Sequence, residues 1–232
     1  VPGPIDPTDP TCPSWLGDLC VNWPVDLTDP TCPSWLGDDC AFWPAPIDPV
    51  QWRLDVMGLV AHPLSLDLAA IRALPAAFHH RRTVCVCLWT IKRHWFGVLL
   101  RDVLALAGVD LTDPSLYLRQ LSNGTDKGRY DTTIHLQSAI MRDAILAYEV
   151  DDAPLTIETG FPLRLIDFGL FNYKCVKALR SLEVTRVNGL GYWEKHSGYA
   201  LDGTVQAKKY YAVDLQHKIW FGGSGEVKDT DL

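Results

Sequence analysis

Cys85 is the residue whose surroundings most favour chemistry in this 232-residue chain. Basic side chains precede and follow it, namely His79, His80, Arg81 and Arg82 on one side and Lys92, Arg93 and His94 on the other. Positive groups stabilise a thiolate, so this sulfur could serve as a metal ligand or as a nucleophile. A second interpretation places Cys85 and Cys87 on opposite faces of one strand as core thiols, with the basic residues as a solvated rim.

A second group of candidate residues could bind a phosphate. Arg164, Lys174 and Lys177 lie close to turns that Thr159-Gly160 and Phe171-Asn172 predict. Guanidinium and ammonium groups beside such turns can bind a phosphate, but from these residues alone surface charge at the ends of strands is the favoured interpretation. An aromatic loop, Gly191-Tyr-Trp-Glu194 with Gly198-Tyr199, predicts packing rather than catalysis.

Short elements must position these residues. Hydrophobic periodicity predicts strands at 52–60, 83–89, 116–121, 144–148, 163–166 and 182–186, and helices at 65–74, 98–107 and 136–142. Asn123-Gly124 predicts a hairpin after the third strand. Short strands with a few short helices indicate an α+β domain that is mostly β and that spans residues 51–232.

Residues 1–50 form a different unit, which we call the arm. Asp9-Pro-Thr-Cys12-Pro-Ser-Trp15-Leu-Gly-Asp18-Leu-Cys20 recurs twenty residues later, with its cysteines at Cys32 and Cys40, and eleven of the sixteen prolines lie in this stretch. So much proline excludes long helices and central strands. Disulfides Cys12–Cys20 and Cys32–Cys40 would stabilise each copy, while zinc, calcium or free thiols remain alternatives.

Disulfides in the arm would imply an oxidising compartment, so we expect export to the periplasm or the cell exterior. The tryptophan in each copy could dock the arm on the body of the chain, on a protein partner or on a second copy, and a flexible stalk is the alternative. The arm carries eight aspartates and no Lys, Arg or Glu, which leaves residues 51–232 with a net charge of +1. Such a balance argues against nucleic-acid binding, and no apolar run is long enough to span a membrane.

The order of several motifs resembles the molybdopterin-binding oxidoreductase domain of sulfite oxidases and of the periplasmic methionine-sulfoxide reductase catalytic subunit. The matching pieces are Trp52-Arg-Leu, Thr83-Val-Cys85 with Trp89, Trp95-Phe-Gly97, Ile145-Leu-Ala-Tyr148-Glu149, Gly160-x-Pro-Leu-Arg164, Tyr173-Lys174-x-Val-Lys177 and Gly191-Tyr-Trp-Glu194. Each piece alone is weak evidence, whereas their order over about 150 residues is specific.

This resemblance implies a sulfite-oxidase-type fold and a molybdopterin cofactor. It makes Cys85, four residues before Trp89, the protein ligand to molybdenum. The cofactor-binding residues that it implies are Thr159, Arg164, Asn172, Tyr173, Lys174 and Lys177. The candidate substrate rim is Lys92, Arg93 and His94.

The implied activity is oxygen-atom transfer on a small oxyanion or an S- or N-oxide. No Cys-x-x-Cys-His haem motif occurs in the chain, so we expect a separate protein to exchange the electrons. Relatives carry cofactor contacts upstream of the first strand, where this chain has the arm instead. The alternative hypothesis is therefore an exported binding or assembly module that has lost the cofactor and docks through its arm.

Overall fold

The computed structural model describes residues 47–123 and 130–231, which form two β-sheets and four short α-helices. The strands are β1 (Leu54–Gly58), β2 (Leu64–Leu66), β3 (Ala76–Val84), β4 (Trp89–Leu99), β5 (Tyr117–Ser122), β6 (Asp131–His135), β7 (Ile145–Val150), β8 (Ala153–Pro154), β9 (Arg164–Ile166), β10 (Leu179–Thr185), β11 (Lys208–Ala212) and β12 (His217–Phe221). The helices are α1 (Leu68–Arg72), α2 (Leu100–Leu106), α3 (Leu136–Met141) and α4 (Tyr192–Ser197).

The first sheet has five strands in the order β2-β1-β10-β5-β6. Strand β1 pairs parallel with β10, with Asp55 opposite Ser181, and the other neighbours are antiparallel. Leu54 and Val56 of β1 are fully buried because alternate residues of a strand point to the same face. That face contributes to the largest core cluster of the protein, together with buried residues of α1, α2 and α3.

The second sheet is organised around β4. Strand β3 pairs with β4 along most of the length of β4. Strand β11 pairs with the first residues of β4, and β7 pairs with its last residues. Between β11 and β7 the amides of Lys92 and His94 donate to the carboxylates of Asp214 and Asp151, over 3.3 and 2.9 Å. Carboxylates therefore replace a neighbouring strand at this point, which keeps the polar backbone of β4 satisfied.

The prediction of a single strand over residues 83–89 is wrong. Strand β3 ends at Val84 and β4 begins at Trp89, with a tight turn between them. In this turn the Cys85 amide donates to the Trp89 carbonyl over 2.8 Å, the Leu88 amide donates to the Cys85 carbonyl over 3.0 Å, and Leu88 has a φ of 69°. Cys85 and Cys87 therefore do not lie on opposite faces of a strand but share one turn.

Other boundaries also differ from the sequence prediction. The first helix begins after Asp67, whose carboxylate accepts the Ala70 amide over 2.7 Å, so Asp67 is the cap rather than Ser65. Helix α2 begins two residues later than expected because Val98 and Leu99 pair with β7. The basic residues before and after Cys85 lie within β3 and β4, and β11 and β12 were not predicted.

The α+β, mostly β fold class is confirmed. Strands β5 and β6 form the antiparallel pair that the Asn123-Gly124 hairpin predicts, although Gly124 itself lies outside the described residues. The predicted disulfides of the arm also lie outside them. No helix in 47–123 and 130–231 has the length and apolar character needed to cross a membrane.

Candidate functional site

The thiol of Cys85 is half-buried at the turn between β3 and β4. The Cys87 amide donates to the Cys85 sulfur over 3.3 Å. Interaction with the side chain of Cys87, followed by burial, raises the pKa of Cys85, and the same interaction lowers the pKa of Cys87 to about 6. We expected basic neighbours to lower the pKa of Cys85. The positive charge of Lys177 does lower it, but the Cys87 side chain and burial, which both raise the pKa, have larger effects.

Arg164 enters the site from β9. Its guanidinium donates from Nη1 to the Thr159 carbonyl over 2.9 Å and lies over the ring of Trp95, 5.2 Å from the centroid. Its Nε is buried and has no hydrogen-bond partner among the described residues. Burial lowers the pKa of this side chain to about 10. A buried cation with an unused donor is costly unless a further group binds it, so this Nε indicates where a polar ligand would fit.

Lys177 approaches Arg164 across Gly160. A β-carbon at Gly160, whose φ is 117°, would lie 2.9 Å from Cβ of Arg164 and 3.2 Å from Cγ of Lys177. Because Gly160 has no side chain, the side chains of Arg164 and Lys177 can pass next to each other. Burial of its atoms by neighbouring residues, followed by the charge of Arg164, lowers the pKa of Lys177 to about 8, although the residue as a whole is exposed.

Strand alternation divides the predicted substrate rim. Arg93 shares a strand face with Trp95 and contributes positive charge at Lys177 and Arg164, so it belongs to the same site as Cys85. Its Nε forms an ion pair with Asp151 over 3.4 Å. Lys92 and His94 lie on the opposite face, where Lys92 pairs with Asp229 and the ring of His94 lies 4.0 Å from that of His80.

Lys174 is also separate from this group. Its ammonium is fully buried, pairs with Glu194 of α4 and donates to the Thr133 carbonyl over 3.0 Å. Burial outweighs the nearby carboxylate and lowers the pKa of Lys174. Since its ammonium is already bound within the protein, Lys174 does not contribute to the cationic group at Cys85, contrary to the expectation that it holds the phosphate.

Two other predicted residues lie in the short 3₁₀ segment Asn172–Lys174. The hydroxyl of Tyr173 donates to the Ala200 carbonyl over 2.6 Å, and its ring packs against Tyr199 at 5.0 Å. Asn172 has a buried Oδ1 with no hydrogen-bond partner in the described part of the chain. The amide of Asn172 is therefore available to a ligand, whereas Tyr173 supports the wall of the site.

Sequence reasoning missed several residues. Glu194 was assigned to a packing loop, because only the fold shows that it pairs with Lys174, twenty residues earlier. The ring of Trp95 beneath Arg164 and the contact of the Cys87 amide with the Cys85 sulfur were also missed. The Cys-x-Cys spacing could have signalled this contact if the turn had been recognised.

The group consists of the thiol of Cys85 and the cationic side chains of Arg93, Arg164 and Lys177, and the Nε of Arg164 is an unused donor among the described residues. Such a set fits a metal carried by an organic cofactor that ends in a phosphate, because the thiolate would bind the metal and the cations would bind the anion. Fold and site together define a sulfite-oxidase-type oxidoreductase domain.

The chain belongs to the oxidoreductase molybdopterin binding domain family, whose model matches residues 42–193. It is 32% identical over 168 residues to the oxidoreductase YuiH of Bacillus subtilis, covering 72% of this chain and 81% of that protein. The prediction of the family and of molybdopterin as its cofactor is confirmed.

More distant relatives are longer proteins. Identity is 23% over 160 residues to the protein-methionine-sulfoxide reductase catalytic subunit MsrP of Campylobacter jejuni, covering 63% of this chain and 53% of that one. It is 28% over 173 residues to human mitochondrial sulfite oxidase, covering 64% of this chain and 32% of that one. The sulfane dehydrogenase SoxCD of Paracoccus pantotrophus shares the fold, with a TM-score of 0.59 at 20% identity over 72% of this chain and 48% of that one.

Proposed function

We propose that this chain is a molybdopterin-dependent oxidoreductase that acts on a small oxyanion or an S- or N-oxide, with Cys85 as the protein ligand to molybdenum. One observation carries the proposal. Arg164 and Lys177 lie side by side across Gly160, and the positive charge of Lys177 acts on the half-buried thiol of Cys85. Arg164 and Lys177 repel each other, and an anion bound beside them would offset that repulsion.

Arg164 and Lys177 are the residues that would hold the phosphate of the cofactor. The Thr159 carbonyl fixes the guanidinium of Arg164 and leaves its Nε available as a further donor. The amide oxygen of Asn172 would accept a hydrogen bond from the pterin. Thr159 itself acts through its backbone, because its hydroxyl is already hydrogen-bonded within the turn to Thr156.

Arg93 is the residue that would bind the substrate. When bound, the cofactor supplies the two-electron oxygen-atom chemistry. The ion pair with Asp151 uses Nε of Arg93, which leaves the two terminal nitrogens able to donate to an oxygen atom of the substrate. Lys92 and His94 lie on the other face of β4, so we assign this role to Arg93 alone.

A separate redox protein would exchange electrons with the site. MsrP is named as a catalytic subunit, which supports an arrangement with at least one further subunit. Export to an oxidising compartment remains part of the proposal and rests on the paired cysteines of the arm.

A second candidate function is a binding or assembly module without a cofactor. The sequence upstream of β1 favours the module, since a Pro/Cys/Trp repeat stands where relatives carry cofactor contacts. The site is identical in both hypotheses, so only cofactor content distinguishes them.

Elemental analysis after expression in a host that makes molybdopterin tests the proposal. We expect about one molybdenum per chain, its loss in Cys85→Ser and its retention in Cys87→Ser, which removes a neighbouring thiol but not the ligand. A folded wild-type chain that contains no molybdenum under these conditions would instead support the module.

A further inference from the structure

Cys85 and Cys87 form a pair of thiols in one tight turn. The Cys87 amide donates to the Cys85 sulfur over 3.3 Å, so the sulfur of the first cysteine lies against the backbone of the second. The turn is fixed on both sides of the pair, because the Cys85 amide donates to the Trp89 carbonyl and the Tyr211 amide donates to the Leu88 carbonyl, over 2.8 and 2.9 Å. Both cysteines are therefore held in one turn, with the Cys85 sulfur next to the Cys87 backbone, which is the proximity that a disulfide between them requires.

The two thiols differ in access. Cys87 is exposed, whereas Cys85 is half-buried. An external oxidant would therefore meet Cys87 first, and the sulfur of Cys85 would be the nearest thiol to complete the reaction. Cys175, the remaining cysteine of the described residues, is buried and contacts the backbone of Asp167, so it does not compete.

We propose that Cys85 and Cys87 form a reversible intramolecular disulfide when no metal occupies the site, so that oxidation of the turn prevents Cys85 from binding the cofactor. The disulfide rests on the geometry of the turn alone. Its effect on the cofactor rests in addition on the proposed function, since it requires Cys85 to be the metal ligand.

The reaction balances with a small-molecule disulfide as oxidant. The Cys87 thiolate attacks one sulfur of the reagent and releases the first thiolate. The Cys85 thiolate then attacks the Cys87 sulfur and displaces the second thiolate, which closes the protein disulfide. The two protein thiols lose two protons and two electrons, and the reagent becomes two thiols.

Mass spectrometry of one peptide tests the proposal directly. Trypsin cleaves after Arg82 and Lys92, and the peptide 83–92 contains Cys85 and Cys87 and no other cysteine. The full chain, produced in a host without molybdopterin, is treated with oxidised glutathione, then alkylated and digested without reduction. We expect this peptide to lose two hydrogens and to carry no alkyl group, and a reductant to restore two alkylated thiols.

The matched control is Cys87→Ser, in which Cys85 has no partner. Its peptide should remain alkylated or carry one glutathione, and should not show the loss of two hydrogens. If the wild-type peptide keeps both thiols alkylated, or carries a glutathione on each cysteine, the disulfide is excluded.

A second measurement separates this inference from the proposed function. Protein that contains molybdenum should resist formation of the disulfide until the metal is removed, whereas the metal-free chain should form it readily. If the disulfide forms equally with and without bound molybdenum, its role in excluding the cofactor is overturned. If it forms in a chain that never binds molybdenum, the disulfide stands and the proposed function fails.

Discussion

Lys177 shows how one residue could make the site sensitive to pH. Burial and the neighbouring Arg164 lower its pKa to about 8, so its ammonium is charged at neutral pH and loses its proton just above it. Arg164, with a pKa of about 10, keeps its charge through the same range. The positive charge of the site should therefore fall by one unit near pH 8.

We predict that anion binding to the cofactor-free chain weakens as pH rises through 8. Sulfate is a suitable probe because its own charge does not change, and its affinity should fall about 10-fold between pH 7 and 9, the limit for loss of one proton. Titration calorimetry measures the effect. In Lys177→Met the affinity at pH 7 should be low and almost independent of pH, while Lys195→Met should behave as wild type. A wild-type affinity that does not change with pH would contradict the role of Lys177.

Motif order singles out Cys85, Arg164, Lys174 and Lys177 in the sequence, but it does not show how Lys174 is used. Lys174 and Lys177 are both cationic and only three residues apart, and nothing local distinguishes them. The distinction comes from Glu194 on a distant helix, which binds the ammonium of Lys174 inside the protein. Arg93 could have been separated from Lys92 and His94 by strand alternation, if β4 had been recognised.

At the scale of elements, the Lys174–Glu194 pair connects α4 to the first sheet. The Glu194 carboxylate also accepts the Thr132 hydroxyl over 2.8 Å, and the Lys174 ammonium donates to the Thr133 carbonyl, so both groups contact β6. Neither side chain of the ion pair has any solvent exposure. Removal of one partner therefore leaves an uncompensated charge in the interior.

We predict that Glu194→Leu or Lys174→Met alone destabilises the protein by about 3–5 kcal/mol, whereas the double variant loses less because no unpaired charge remains. Unfolding of each variant by denaturant, followed by fluorescence, gives its free energy of unfolding. Arg101→Met, which removes one side of an exposed pair with Asp143, serves as the control and should cost less than about 1 kcal/mol. Single variants as stable as this control would show that the pair does not support α4.

Element prediction succeeded where hydrophobic periodicity was clear and failed where charge concealed it. The strands around Leu118, Leu146 and Leu182 were predicted because buried residues alternate or form short apolar runs. Strands β3 and β4 were largely missed because His79–Arg82 and Lys92–His94 are polar at successive positions. Carboxylates from other segments, such as Asp214 beside Arg82 and Asp151 beside Arg93, make these charges tolerable in a sheet, and a local pattern does not show them.

At the scale of the whole molecule, the arm and the oxidoreductase domain differ in how they would gain stability. The domain has extensive buried clusters, whereas each 20-residue copy of the arm has few large apolar residues. We predict that non-reducing peptide mapping of the intact chain shows Cys12 bonded to Cys20 and Cys32 bonded to Cys40. Free thiols at these positions would contradict this pairing and remove the argument for export. A copurifying metal ion that the protein releases when these thiols are chemically blocked would do the same.

The parallel pairing of β1 with β10 has a consequence for biosynthesis. The indole of Trp52 donates to the Leu179 carbonyl, 127 residues away in the chain, and β1 lies between β2 and β10. During translation, the first strand would leave the ribosome long before its central neighbour exists, so one edge of β1 would stay without its partner until the chain has passed residue 185. Nascent chains stalled before this point should be captured by chaperones that recognise unpaired strands, and release should coincide with emergence of β10.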